Sequence, residues 1–418
     1  MSGAGLNVLV YPHAMEVGGS QLNAIELAAA VRDLGNEVTV LSDDGPLVQR
    51  VRELDLPHVF LPPDRRRPSP IVVRQLRRLI RRDHLQIIHG YEWPPALEAA
   101  AAAYPGRRTA AVCTVMSMAV APFLPRSMPL IVGTRALQER TAGERTGPVY
   151  LIEPPVDVIG NAPGHPVDEF RAAHDLTPGF VDIAIVCRLV PELKLEGILT
   201  AVDVVGELAE ELPVRLVITG DGKARATVEE RAAKANARAG RRAVVLVGEL
   251  FDPRPAYAAA DVVLGMGGSA LRALAFGVPL VVQGEQGFWE LLTPDSCELF
   301  LRQGWYGVGD GTGGADRLSA ILRRLVPDRD TRAKLGAYGR TLAVERFSLQ
   351  RAAQTQVEIY REALAGGRSS LGQTVDGARS AAGVFTHKVR QKYHGLRGTR
   401  AADDFNTVTL ANAAMKKR

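Results

Sequence analysis

Cysteine is scarce in this chain. Cys113, Cys187 and Cys297 are far apart and odd in number. That excludes a disulfide framework and a closely spaced zinc cluster. Cys113 and Cys187 sit in apolar runs, where a lone cysteine acts as a small hydrophobe. Aromatics make up only 6% of the residues. No run of 18 apolar residues occurs, and the longest alanine tract, Ala99 to Ala103, is far too short to span a bilayer. Met1 to Asn7 lacks a basic segment leading into an apolar one, so no secretory signal is expected. The expected location is the cytoplasm, with attachment at most to the inner face of a plasma membrane.

The body of the chain also lacks an excess of positive charge. The net charge of +5 belongs to the C-terminal tail. Gly366 to Arg418 holds ten Lys or Arg against three Asp, a net of +7, which leaves −2 for everything before it. Nucleic acid is therefore not an expected partner of the body, whereas the tail suits anionic lipid or acidic partners. What is present is 46% apolar residues over 418 positions, enough for two or three domains with proper cores.

Short Val- and Ile-rich runs alternate with helical stretches. Strands are expected at Asn7–Tyr11, Val38–Ser42, His58–Leu61, Gln86–His89, Ala110–Thr114, Leu130–Gly133 and Val149–Ile152. Their apolar runs are continuous, as parallel strands covered on both faces require. A helix capped by Ser20 and ended by Gly35 joins the first two. The rhythm breaks over the Pro/Gly-rich Glu153–Gly179 and then restarts. Strands follow at Ile183–Cys187, Arg215–Thr219, Ala243–Val247, Val262–Gly265 and Leu280–Gln283. The fold class is α/β, with two doubly wound, Rossmann-like domains. The expected division is 1–158, a linker at 159–179, a second domain at 180–340, a closing helix at 341–365 and a basic tail at 366–418 with the composition of a disordered segment.

Ligands of doubly wound sheets bind beyond the C-terminal strand ends, and a cleft between two such domains is the default site. Four turns there suit a ligand. Gly18-Gly19 precedes the first helix, where backbone can approach an anion. Arg188 and Lys194, six residues apart, make a fork and a point charge for a diphosphate. Gly220 and Gly222 permit a tight turn around Asp221. Gly265-Met-Gly-Gly268-Ser269 opens a helix as a cradle of N–H groups, with Ser269 able to cap it or to bind phosphate. A plain structural turn is the alternative in each case. Together the four point to a nucleotide-diphosphate compound. His89 and Glu92 follow the fourth strand and suit an acid/base or acceptor-holding role. Arg65-Arg66-Arg67 and the amphipathic Val72–Asp83 suit either an ordinary surface helix or an anionic membrane surface.

From Asn7 to Leu364 the chain resembles the family-4 glycosyltransferases of GT-B fold. The carriers are Gly18-Gly19 with Asn23-Ala-Ile-Glu-Leu27, Gly35-Asn-Glu-Val-Thr-Val40, Pro154-Pro-Val-Asp157, Arg188 to Lys194 and Gly220-Asp-Gly222. Tyr257-Ala-Ala-Ala-Asp261, Ala273-Leu-Ala-Phe-Gly-Val-Pro279 and Gly287-Phe-Trp-Glu290 complete the set. The resemblance implies two domains facing across a cleft, with an N-terminal acceptor domain and a C-terminal donor domain. It implies transfer of a sugar, usually with retention, from a nucleotide-diphosphate sugar to a glycan or lipid-linked acceptor of the cell envelope. No tightly bound cofactor and no metal are implied. Arg188 and Lys194 would neutralise the leaving diphosphate, Gly18 and Gly19 would approach phosphates or acceptor, and Gly248 and Glu249 would receive the base. Three positions depart from the family. Arg272 replaces the second Glu of its paired-Glu motif, the first Glu has no counterpart, and Met116 occupies the slot of a His. Ser269, Ala270, Arg272 and Glu290 are the residues placed to take over donor contacts, and Arg272 suits a donor that bears a carboxylate. A catalytically silent nucleotide- or glycan-binding partner and a nucleotide-sugar epimerase are the alternatives.

Overall fold

In the computed structural model the structure describes residues 5–63, 65, 67–104, 108–117, 119–366 and 370–396. The chain divides into two compact units. One runs to Pro155 and resumes at Leu349; the other is Val156–Ser348.

Unit one contains β1 (Asn7–Tyr11), α1 (Gly19–Asp33), β2 (Glu37–Ser42), α2 (Val48–Glu53), β3 (His58–Phe60), α3 (Pro70–Arg82), β4 (Ile87–Tyr91), α4 (Trp93–Ala103), β5 (Ala110–Val115), β6 (Leu130–Val132), α5 (Arg135–Ala142) and β7 (Val149–Leu151). All seven strands are parallel, in the order β3-β2-β1-β4-β5-β6-β7. Side chains alternate between two cores. Val8 and Val10 of β1 join one, and Leu9 and Tyr11 join the other. This is why the strand reads as an unbroken apolar run.

Unit two contains α6 (Asp168–Ala173), β8 (Val181–Val186), α7 (Leu195–Leu208), β9 (Val214–Thr219), α8 (Arg225–Ala239), β10 (Val244–Gly248), α9 (Arg254–Ala258), β11 (Val262–Gly265), α10 (Gly268–Ala275), β12 (Leu280–Gln283), β13 (Trp289–Leu291), α11 (Cys297–Gln303), α12 (Gly314–Leu325) and α13 (Arg329–Arg346). Its sheet order is β10-β9-β8-β11-β12-β13, with only β13 antiparallel. Ile183 and Ile185 face a core under α7, α8 and α12, while Ala184 faces one under α10 and α13.

The structure redraws three expected boundaries. The stretch 159–179 is not a bare linker. Arg340 of α13 donates to the carbonyls of Val158 at 2.8 Å and Asn161 at 3.0 Å, which fastens that segment beside α10. Phe170 and Leu176 pack against Val217 and Val245. The closing helix is two helices with different destinations. α13 packs on α10 in unit two, whereas α14 (Leu349–Ala365) returns to unit one and lies on α1. Ala24 and Ala28 of α1 are small enough to admit Val357 and Tyr360. The tail begins as α15 (Ser370–Leu396), which is seated on unit one through Asp376, Ser380, Gly383 and His387. The rest of the tail, from 397, lies outside the described residues, as does Arg66.

Candidate functional site

The sheet of unit two reverses its order between β8 and β11. The crevice at that reversal is where doubly wound sheets take ligands. The exit of β8 is Cys187–Lys194, and the exit of β11 is Met266–Gly267. Arg188 is exposed and Lys194 half-buried at the N-cap of α7. Among the described residues, neither cation has a hydrogen bond or an ion pair to its side chain. Burial pushes the Lys194 ammonium below its ordinary pKa; the Cys187 thiol opposes this and Arg188 adds to it. Two neighbouring cations with no ion pair among the described residues favour a dianionic ligand.

The glycines after β9 hold this loop in place. Gly220 has φ +136° and Gly222 φ +150°, and a Cβ on Gly220 would stand 1.9 Å from the carbonyl oxygen of Cys187. A Cβ on Gly222 would stand 2.4 Å from that of Leu189. Leu189 N–H donates to the Asp221 carbonyl at 2.9 Å, and Ala224 N–H returns a bond to Leu189 at 2.9 Å. These glycines therefore seat the Arg188 loop. Gly248, with φ +90°, accepts from Gly220 N–H at 2.7 Å. Glu249 is exposed beside it, and so is Phe251, which is 73% exposed and carried no sequence signal of its own.

The exit of β11 leads directly into α10. Gly267 caps α10 at φ +55°, and the N–H groups of Gly268 and Ala270 carry no bond among the described residues. Ser269 N–H donates to Met266 at 3.2 Å, and its hydroxyl accepts from Tyr257 at 2.9 Å. Arg272 folds back along the helix, so that a Cβ on Gly268 would lie 3.8 Å from its Nη1. Burial raises the pKa of the Tyr257 phenol and the Arg272 cation pulls it down. Glu290 pairs with Val282 in the β12–β13 register, on the face of α10, and is half-buried. Glu196 of α7, which sequence reasoning passed over, accepts from Gln286 N–H at 3.0 Å and Gly287 N–H at 2.7 Å. It fixes the turn that leads into β13.

Unit one treats its polar residues differently. Its order reverses between β1 and β4. His89 is not at a strand exit. It is the middle residue of β4, fully buried, with Nδ1 2.7 Å from the Tyr360 hydroxyl and Nε2 2.7 Å from that of Thr114. Burial drives its pKa down to about 3, so it stays neutral. This corrects its reading as an acid/base group, because both ring nitrogens are engaged and no solvent reaches it. Glu92 does follow β4, at φ +65°, a strained position for a side chain with a Cβ. Its carboxylate accepts from Met116 N–H at 2.9 Å, Ser117 N–H at 3.2 Å and the Ser117 hydroxyl at 2.8 Å. It holds the β5 exit in place.

Helix α1 begins at Gly19 with Gly18 as its N-cap. Ser20 does not cap it; its hydroxyl points to Glu92 at 3.5 Å. A Cβ on Gly18 would meet only the flexible Gln21 side chain, and one on Gly19 would meet nothing within 4 Å. Arg65 and Arg67 pair with Asp43, and Arg67 also donates to the His13 carbonyl. They brace the β1 exit and are not a lipid-facing patch. Among the described residues, no three His, Cys, Asp or Glu side chains group closely enough to hold a metal ion.

Two family models match the chain. One is Glycosyltransferase Family 4 over residues 17–142, and the other is Glycosyl transferases group 1 over residues 181–322. Together they take in more than half of it. Solved structures with a similar fold include a glycosyltransferase from Rickettsia africae ESF-5. It has a TM-score of 0.69 and 15% identity, over 87% of this chain and 100% of that one. Anabaena Alr3699/HepE in complex with UDP is similar at a TM-score of 0.66 and 17% identity, over 85% and 100%. The catalytic domain of Arabidopsis thaliana starch synthase IV, bound to ADP and acarbose, follows at 0.60 and 14%, over 87% and 100%. No curated protein sequence matches the chain.

Proposed function

This chain belongs to glycosyltransferase family 4 and is a nucleotide-sugar-dependent glycosyltransferase, and we propose that Arg188 and Lys194 hold its donor's diphosphate. The observation that carries this is the pair of neighbouring cations at the β8 exit, which carry no ion pair among the described residues. As the glycosidic bond to the donor phosphate breaks, negative charge grows on the leaving oxygen. Cations already in position stabilise that charge without reorganising. The free N–H of the exposed Gly268 at the start of α10 takes a phosphate oxygen. Arg272 meets either the phosphates or an acidic group on the sugar, Glu290 takes sugar hydroxyls, and Gly248, Glu249 and Phe251 meet the nucleoside. With cations and an N–H group in these roles, the reaction needs no metal. Gly18 and Gly19 leave room for a substrate at the N-terminus of α1, and Glu92 positions the loops beside it. The acceptor is a glycan or lipid-linked molecule of the cell envelope, and transfer retains the anomeric configuration. That the Anabaena relative was solved with UDP and with UDP-glucose favours a uridine donor.

The test is a thermal-shift panel of UDP, GDP, ADP, dTDP and CMP on the whole chain and on the Arg188→Ala/Lys194→Ala variant. A ligand at 100 times its Kd stabilises by about 2.7 kcal/mol. One nucleotide should give that shift in the parent and lose it in the variant. No shift with any nucleotide, or an equal shift in the variant, overturns the clamp. A donor panel in which only neutral sugars are transferred removes the acidic-sugar role of Arg272.

A further inference from the structure

Helix α15 lies outside both family matches, so its purpose is not given by the sugar-transfer fold. It is moored on unit one along one stripe. Asp376 accepts from Ser127 N–H at 2.7 Å, and Ser380 is buried. A Cβ on Gly383 would strike Phe123, and His387 stands edge-on to Trp93 at 5.9 Å. The far side of the helix carries Val375, Ala378, Ala382, Phe385 and Val389, an apolar arc of roughly 80° at 100° per residue. Val375 is 63% exposed, Phe385 71% and Val389 54%. Lys388 and Lys392 border this arc on one side and Arg390 on the other, all exposed. No Asp or Glu occurs from Gly377 to Ala402, which holds six Lys or Arg.

The same side of the unit carries more positive charge. α3 and α15 both abut α4: Arg77 donates to the Ala101 carbonyl at 2.9 Å, and the hydroxyls of Tyr104 and Thr374 are 2.7 Å apart. α3 presents Arg74, Arg78 and Arg81, exposed and one helical turn apart. No described helix is long and apolar enough to cross a membrane. An apolar arc edged by cations, on a helix fixed to the protein surface, matches the plane of an anionic bilayer. A second copy seated on this stripe would bring Lys388, Arg390 and Lys392 against their own like charges.

We propose that α15 is an in-plane anchor that seats this protein on an anionic lipid surface. Phe385 and Val389 enter the headgroup–acyl boundary, and Lys388, Arg390 and Lys392 sit on lipid phosphates. The anchor does not depend on the donor site, and its test contains no nucleotide. The full chain is sedimented with vesicles of phosphatidylcholine alone and of phosphatidylcholine with phosphatidylglycerol at about 2:1. Binding should require the anionic lipid and weaken with salt. Lys388→Gln/Lys392→Gln should lower partition by about fivefold for each charge removed, and Phe385→Asp/Val389→Asp should abolish it. Both changes fall on exposed positions, and a Phe385→Trp variant gives a second readout, a blue shift of emission on anionic vesicles only. Equal binding to neutral vesicles, no binding to either kind, or full binding by the Asp variant overturns the proposal. So does light scattering that shows the Asp change converting a dimer to a monomer without altering vesicle binding.

Discussion

The two doubly wound sheets reverse their strand order in the same way, yet they treat charge at the reversal in opposite ways. In unit one, apart from the exposed Glu16, the charged groups described at the β1 and β4 exits are engaged by its own fold. Asp43 holds Arg65 and Arg67, and Tyr11 donates to Glu98 at 2.6 Å. Glu92 is spent on Met116 and Ser117. In unit two, among the described residues, the side chains of Arg188 and Lys194 carry no hydrogen bond or ion pair, and Cys187 and Arg188 are the groups that act on the Lys194 ammonium. A charge satisfied inside the fold stabilises or positions, whereas a charge left over is available to a ligand. That contrast separates the two sheets more sharply than their shared topology does.

The largest effect expected from breaking it is on catalysis. Arg188→Ala/Lys194→Ala should lower kcat for transfer by at least roughly 10²-fold without lowering Tm. Two like charges that stabilise nothing in the folded chain are being removed. Burial depresses the pKa of Lys194, so between that lowered value and 10.5 the unfolded chain binds the extra proton. Stability must then rise with pH through that alkaline window. The Lys194→Met protein should lose this rise, and denaturant titrations at a series of pH values would show whether it does. A double variant that unfolds would place the two cations with the structural charges of unit one.

His89 should behave in the opposite manner. His89→Ala removes a buried ring with two hydrogen bonds and should cost about 3 kcal/mol, while the folded fraction keeps its kcat. The pKa of His89 is about 3 in the folded chain against an ordinary 6.5. The unfolded chain therefore binds the extra proton as pH falls from 6.5 toward 3. Stability drops across that window by up to about 1.4 kcal/mol per pH unit. Acid titration of His89→Leu should show a shallower slope. A loss of kcat in a fully folded His89 variant would restore a chemical role to the residue.

The sequence shows where strands and turns lie better than it shows what their side chains meet. Val8 to Val10 and Ile183 to Ile185 read as two-faced strands because period-two burial on both sides leaves no polar position. His89 misleads because a histidine that ends an apolar run resembles a strand exit. Its partner Tyr360 lies 271 residues away, on a helix whose apolar stripe does not say which unit it will cover. β13 escapes notice because three residues in Trp289–Leu291 carry too little pattern, and Glu196, which sets the turn before it, reads as an ordinary first-turn acid. The Arg188–Lys194 pair is legible because its evidence is local: two cations at the mouth of a parallel strand. That they carry no ion pair among the described residues is visible only in the structure.

Two glycine substitutions refine the contrast at lower cost. Gly220→Ala forces a Cβ to within 1.9 Å of the Cys187 carbonyl at φ +136°, so it should destabilise unit two by about 2 kcal/mol. It should also weaken donor binding by shifting Arg188. Gly19→Ala is the mirror case. Its Cβ enters open space in the first turn of α1, so the unfolded chain loses freedom while the folded one gains no strain. Stability should rise by about 0.5 kcal/mol. If that open space is where substrate meets the helix N-terminus, the added methyl should raise the KM of one substrate and leave kcat unchanged. An unchanged KM for both substrates would mean that Gly18 and Gly19 only shape a turn. Unit one would then contribute bracing at this exit, and substrate contact would have to be sought at its other loops.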